Sequence, residues 1–134
     1  MNTSRVTFWT VSVLVMVLLF SGSCFAGEYN FANTMKFVDS NSYTYIGKAT
    51  KDSNTNYGEV KILNIYKADG SSSGYQQVYA RATTIGIVRL VTKGSWYNLT
   101  LPSSYRTAGS KVGLYCMGHD PSLDCKITGY WNVH

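Results

Sequence analysis

From Tyr29 onward, apolar and polar residues alternate in short runs broken by Gly, Ser, Asn, Asp or Pro, and no stretch carries a sustained helical period. Side chains that alternate between two faces make strands with one buried side, so a chain patterned this way must build sheets. Its residue content agrees, with eleven Tyr, twelve Gly and only two Pro beside abundant Val, Ile and Thr. These are residues of pleated, half-buried surfaces joined by turns. About seven to eight short strands at this spacing predict an all-β fold, a single small antiparallel β-sandwich.

Tyr29, Phe31, Met35 and Phe37 fall on alternate positions around Asn33 and predict a first strand; Ser42 to Thr50 predicts a second. After the polar loop from Lys51 to Asn56, Gly58 to Lys67 places Val60 and Ile62 on one face and Leu63 and Ile65 on the other. That mixture requires two buried faces or a bulge near Asn64. Asp69-Gly70-Ser71-Ser72-Ser73-Gly74 is the clearest turn. In the following segment Val78, Ala80 and Ala82 face inward, opposite Tyr75, Gln77, Tyr79 and Arg81. Ile85, Ile87 and Val91, with Val88 and Leu90 on the other face, predict a central strand, and Trp96 to Leu101 another. Trp96 and Trp131 are assigned to the core.

Residues 1–26 have the form of an export signal: Arg5 precedes an uncharged stretch that runs to Ala26, with its apolar segment from Val11 to Phe20. That segment is far shorter than the roughly 20 residues a membrane span needs, and Cys24-Phe25-Ala26 ends in a small residue suited to cleavage. Cleavage is placed after Ala26, with an uncleaved amino-terminal anchor and a lipoprotein modified at Cys24 as the alternatives. Residues 27–134 then form the secreted β-sandwich domain, carrying 11 Lys or Arg against 7 Asp or Glu, a formal charge of +4.

Loss of Cys24 leaves Cys116 and Cys125, an even pair bound for an oxidising compartment, and predicts a disulfide between them. A zinc site is the alternative, short of ligands because only His119 and His134 supply imidazoles; no metal or cofactor is expected. Both cysteines share a face with inward residues, Val112 and Leu114 for one, Ile127 and Trp131 for the other. A carboxyl-terminal hairpin with the cysteines opposed would set Leu114 against Ile127, Tyr115 against Lys126 and Lys111 against Tyr130.

The segments Lys111-Val112-Gly113-Leu114-Tyr115-Cys116-Met117-Gly118 and Lys126-Ile127-Thr128-Gly129-Tyr130-Trp131-Asn132 resemble a family of small exported bacterial proteins of unknown function. The resemblance extends weakly to Tyr29-Asn30-Phe31. It implies secretion from a Gram-positive cell and assigns no reaction, cofactor or catalytic residue.

Enzyme motifs are missing from the sequence: it has no Gly-x-Ser-x-Gly elbow, no His-Glu-x-x-His and no phosphate loop. His119, Asp120 and Asp124 share one loop and are the only grouping suited to proton transfer or cation binding, yet all three are ordinary turn formers. No catalytic residue is assigned. Binding is the better-marked class, with Tyr75, Gln77, Tyr79 and Arg81 as ligand-binding candidates, because rings and polar donors repeating at strand spacing suit glycan or protein surfaces. Tyr43 and Tyr45 have the same character. The basic excess favours anionic partners such as teichoic acids or phospholipid headgroups, while nucleic acid is not expected, because no recognition motif appears. These features predict a non-enzymatic secreted protein that binds a cell-envelope or extracellular partner, with a small secreted toxin or bacteriocin-like effector and then a secreted hydrolase as alternatives.

Overall fold

Among residues 27–134, which the computed structural model describes, the alternating runs become nine strands: β1 (Glu28–Asn30), β2 (Lys36–Val38), β3 (Thr44–Thr50), β4 (Tyr57–Lys67), β5 (Gln77–Ala82), β6 (Arg89–Thr92), β7 (Trp96–Thr100), β8 (Lys111–Gly118) and β9 (Cys125–Val133). One 3₁₀ turn spans Ser103–Tyr105. Residues 1–26, expected to be an export signal, lie outside the described residues. All strand pairs are antiparallel. One sheet has the order β1-β9-β4-β7, with β2 also on β9, and the other the order β3-β8-β5-β6. Their inner faces meet in one hydrophobic core, the arrangement of a small β-sandwich. No helix among the described residues is long and apolar enough to cross a membrane.

Burial at every second residue is strictest in β8, where Val112, Leu114, Cys116 and Gly118 are buried, and in β5, where Val78, Ala80 and Ala82 are. Trp131 on β9 is the largest fully buried side chain, and its indole Nε1 donates to the Val112 carbonyl at 2.9 Å. That bond satisfies a buried N–H and ties the two layers together. The irregularity expected in β4 is a shift of register between Ile62 and Asn64, which keeps Val60, Ile62 and Ile65 all buried despite their uneven spacing. Opposite it stands Gly129, where a Cβ would lie 2.2 Å from the Lys61 carbonyl oxygen; the close approach at the bulge therefore demands glycine.

Four expectations are corrected. The first strand is two, β1 and β2, split by a turn in which Ala32 N–H donates to Asn30 Oδ1 and Thr34 N–H to the Phe31 carbonyl. The turn resets the alternation, so Phe31 and Val38 are buried while Met35 and Phe37 are exposed. The apolar run from Ile85 to Leu90 is not a central strand. Only Arg89–Thr92 forms a ladder, at the sheet edge, and Ile85 and Ile87 are about 70% exposed, with only Val91 turned into the core.

The carboxyl-terminal hairpin is absent as well. Strand β8 is hydrogen-bonded to β3 and β5, whereas β9 is paired with β1, β2 and β4, so residues 119–124 cross from one layer to the other. Leu114 and Ile127 therefore face each other across no ladder, and Tyr130 lies opposite Lys61 and Asn30, not Lys111. Finally, Cys116 and Cys125 are inward and buried as expected, but they are free thiols and not a disulfide. They lie on β8 and β9, strands of different sheets, and no sulfur–sulfur bond joins them across the core. Burial pushes both thiols up, Cys125 to about 11, so neither is a thiolate nucleophile near neutrality.

A buried charge also went unread in the sequence. Lys51 is 2% exposed, and its Nζ donates to Thr55 Oγ1 at 2.8 Å and to the backbone oxygen of His134. Desolvation pushes its pKa down. Buried ammonium groups require such partners, and here they pin the loop after β3 to the end of β9.

Candidate binding face

The alternation that fills the core also sets the outer face of the four-stranded sheet. Between buried neighbours, β3 presents Tyr45 and Lys48, β8 presents Lys111, Gly113, Tyr115 and Met117, and β5 presents Gln77, Tyr79 and Arg81. The ladders align them in rows. Tyr45 lies opposite Tyr115, which lies opposite Arg81; beside them Met117 lies opposite Tyr79, which lies opposite Leu90. The Tyr45 and Tyr115 ring centroids are 5.5 Å apart at 58°, and the Arg81 guanidinium sits 4.0 Å over the Tyr43 ring. Such aromatic and cation–π contacts hold large, amphipathic side chains in place with little freedom left to lose on binding.

Three of the four sequence candidates share this face. Gln77 is tethered to it, its Nε2 donating to Thr92 Oγ1 at 3.1 Å. Arg81 Nε has no hydrogen-bond partner. Tyr75 stands apart: it precedes β5, packs against the core, and lines a separate hollow with Lys67, Asp69 and Leu123.

At one end of the face, β3, β8, the turn after β5 and the 3₁₀ turn surround a groove of about 290 Å³ lined by Tyr45, Lys48, Thr83, Thr84, Tyr105, Lys111, Gly113 and Tyr115. Gly113 is its floor. A Cβ there would stand 3.0 Å from Tyr115 Cε2 and 3.3 Å from Tyr45 Cε2, so glycine lets both rings lie close to the sheet. The wall holds a strained residue, Thr83, with φ of 62°. A β-branched residue in the left-handed region costs on the order of 1–3 kcal/mol. Thr83 is kept there by its N–H donating to the Gly113 carbonyl at 2.8 Å and by its Oγ1 accepting the Ile85 N–H at 3.3 Å.

The charge distribution is one-sided. Strands β3, β5, β6 and β8 contain Lys48, Arg81, Arg89 and Lys111 and not one Asp or Glu. Arg89 turns to the other layer, its guanidinium 5.0 Å over the Tyr97 ring and bonded to the Asn98 carbonyl. Lys48, Arg81 and Lys111 remain on the outer face. Burial pushes the phenols of Tyr43 and Tyr45 up, against the pull of Arg81 on the first and with the push of Tyr115 on the second. Both are therefore neutral hydroxyls near pH 7, able to donate and accept.

Other candidates separate. The His119 ring packs edge-on to Tyr79 at 4.7 Å, the exposed Asp124 accepts the Ser40 N–H at 2.9 Å, and Asp120 is exposed. Each thus has its own surroundings. Among the described residues no three His, Cys, Asp or Glu side chains are grouped as metal ligands. Trp96 is not in the core: it is 47% exposed on the outer face of the other sheet, stacked on Tyr130 at 6.0 Å with Lys61 Nζ 5.9 Å over its ring. Its alternation with Asn98 and Thr100, both polar, was the signal for an outward position.

The residues missed from sequence are Lys48, Tyr105, Lys111, Gly113 and Tyr115, which only strand pairing brings to one place. Compared with known proteins, the chain matches no family model, no curated protein and no solved structure.

Proposed function

We propose that residues 27–134 are an exported, non-enzymatic β-sandwich that binds a cell-envelope or extracellular partner through the outer face of its four-stranded sheet. The observation that carries the proposal is the composition of that face: Tyr45, Tyr79 and Tyr115 beside Lys48, Arg81 and Lys111, with no acidic residue in the sheet's strands. Tyrosines give contact area with a polar handle, and uncompensated cations attract the anionic polymers of a cell surface. Export is supported by the apolar segment Val11 to Phe20 and the small-residue site ending at Ala26.

The test is co-sedimentation of the protein recovered from culture medium with purified cell walls. Saturable retention is expected, falling with added salt because exposed charges are screened, and falling at least several-fold when Lys48, Arg81 and Lys111 are all changed to Gln. Unchanged retention of that triple variant would refute the proposal.

A further inference from the structure

We infer that the groove between β3 and β8 takes an anionic saccharide, one sugar ring lying against Tyr45 and Tyr115 and its acidic group bridging Lys48 and Lys111. The inference rests on the binding-face proposal and narrows it to one ligand chemistry. Lys48 is opposite Gly113, and Lys111 is the next residue but one along β8 on the same face, itself opposite Thr50. The two lysines are thus diagonal neighbours, with backbone positions about 7–8 Å apart. An oxyanion accepting charge-assisted bonds of about 2.7–2.9 Å from each ammonium fits between them.

The sugar half of the ligand follows from the walls. The Tyr45 and Tyr115 rings are tilted at 58° across the ladder, and Tyr105 also lines the groove. The C–H face of a pyranose carries partial positive charge and settles on the negative face of an aromatic ring, while phenolic hydroxyls reach its oxygens. Gly113 lets the two rings pack close against the sheet, since any side chain there would press on both. At about 290 Å³ the groove lies at the small end of ligand pockets and suits one residue of a polymer. Neither lysine is in an ion pair among the described residues, so an incoming anion displaces no internal partner.

The probes are glucose 1-phosphate and glucuronic acid, titrated into isotope-labelled protein recovered from medium, with glucose and inorganic phosphate as counter-probes. Amide shifts confined to the groove, centred on Gly113, Lys48 and Thr84, are expected with the acidic sugars, and the stronger of the two tells phosphate from carboxylate. Glucose and inorganic phosphate should each bind roughly tenfold more weakly or worse, and Lys111→Gln and Tyr115→Ala should each cost roughly tenfold, about the worth of one charge-assisted contact. Lys111 is exposed, so its variant reports on binding without touching the core. Equal binding of glucose, or of phosphate alone, would overturn the inference. If acidic sugars leave the groove unmoved while the triple Gln variant still loses the cell wall, the ligand class is wrong and the binding face stands; if that variant keeps the wall, both fall.

Discussion

The two-layer packing makes a quantitative prediction at Gly58 and Trp131. A Cβ added at Gly58 would lie 2.3 Å from Trp131 Cη2, 2.8 Å from its Cζ3 and 2.9 Å from Val133 Cγ1, where carbon atoms prefer about 3.5–4.0 Å. Because Trp131 is fully buried, the ring must retreat by about 1 Å into a filled core, and Gly58→Ala should cost about 1–3 kcal/mol. Trp131→Phe removes the two offending ring atoms and the indole donor to Val112, at a cost of about 2–4 kcal/mol from the void and the lost bond. In the double variant the new methyl occupies the space the indole has left. Its loss should therefore be smaller than the sum of the single losses by about 1–2 kcal/mol, a coupling expected only of residues in contact. Urea unfolding followed by far-ultraviolet circular dichroism measures all four corners of the cycle. Additivity to within about 0.5 kcal/mol would refute the placement of Trp131 over Gly58, and with it the alignment of β4 against β9.

Stability at alkaline pH should depend on the buried thiols. Cys125 is held at about 11 against an ordinary 9.0, and Cys116 is pushed higher, so the folded chain keeps these protons after the unfolded chain has released them. That stabilisation is whole below about pH 9 and is lost as pH rises toward 11, on the order of 2–3 kcal/mol for Cys125 alone. Denaturant titrations in reducing buffer across this range should show the loss, and an undiminished slope in Cys125→Ala would contradict it. Trp96→Ala should cost no more than about 1 kcal/mol, the scale of exposed stacking and cation–π contacts, where truncating a buried tryptophan costs about 3–5 kcal/mol. A thermal unfolding curve distinguishes the two.

How far the fold could be read in advance differs between local and non-local features. Inside and outside were legible in β5 and β8, because alternation is written within one strand and needs no partner. The β4 bulge was half legible: the apolar pattern left two buried faces or a bulge open, and the register shift between Ile62 and Asn64 decides for the bulge. Pairing was not legible. The residues between Met117 and Asp124 announce a reversal of the chain, yet nothing local says whether the next strand returns beside β8 or crosses to the other layer. The apolar run from Ile85 to Leu90 misled in the same manner: hydrophobicity calls for a cover, but the left-handed Thr83 turns the chain out of the ladder before it can find one.

The candidate face divides along that same line. Gln77, Tyr79 and Arg81 could be seen together because one strand holds them, and Tyr75 stands apart because the alternation runs back past the point where pairing begins, at Gln77. The groove joins β3 to β8, more than sixty residues apart, and no pattern within either announces the other. Charge shows the effect most plainly. Basic residues look scattered along the sequence, but folding puts Glu28 and Glu59 in the other sheet and Asp39, Asp52, Asp69, Asp120 and Asp124 outside the strands. Three of the 11 basic residues of 27–134 thereby share one sheet face whose strands hold no carboxylate. Interspersed charges of both signs would cancel beyond a Debye length of about 8–10 Å. Three cations gathered beside tyrosine rings, with no carboxylate among them, instead act together on whatever anion reaches that face.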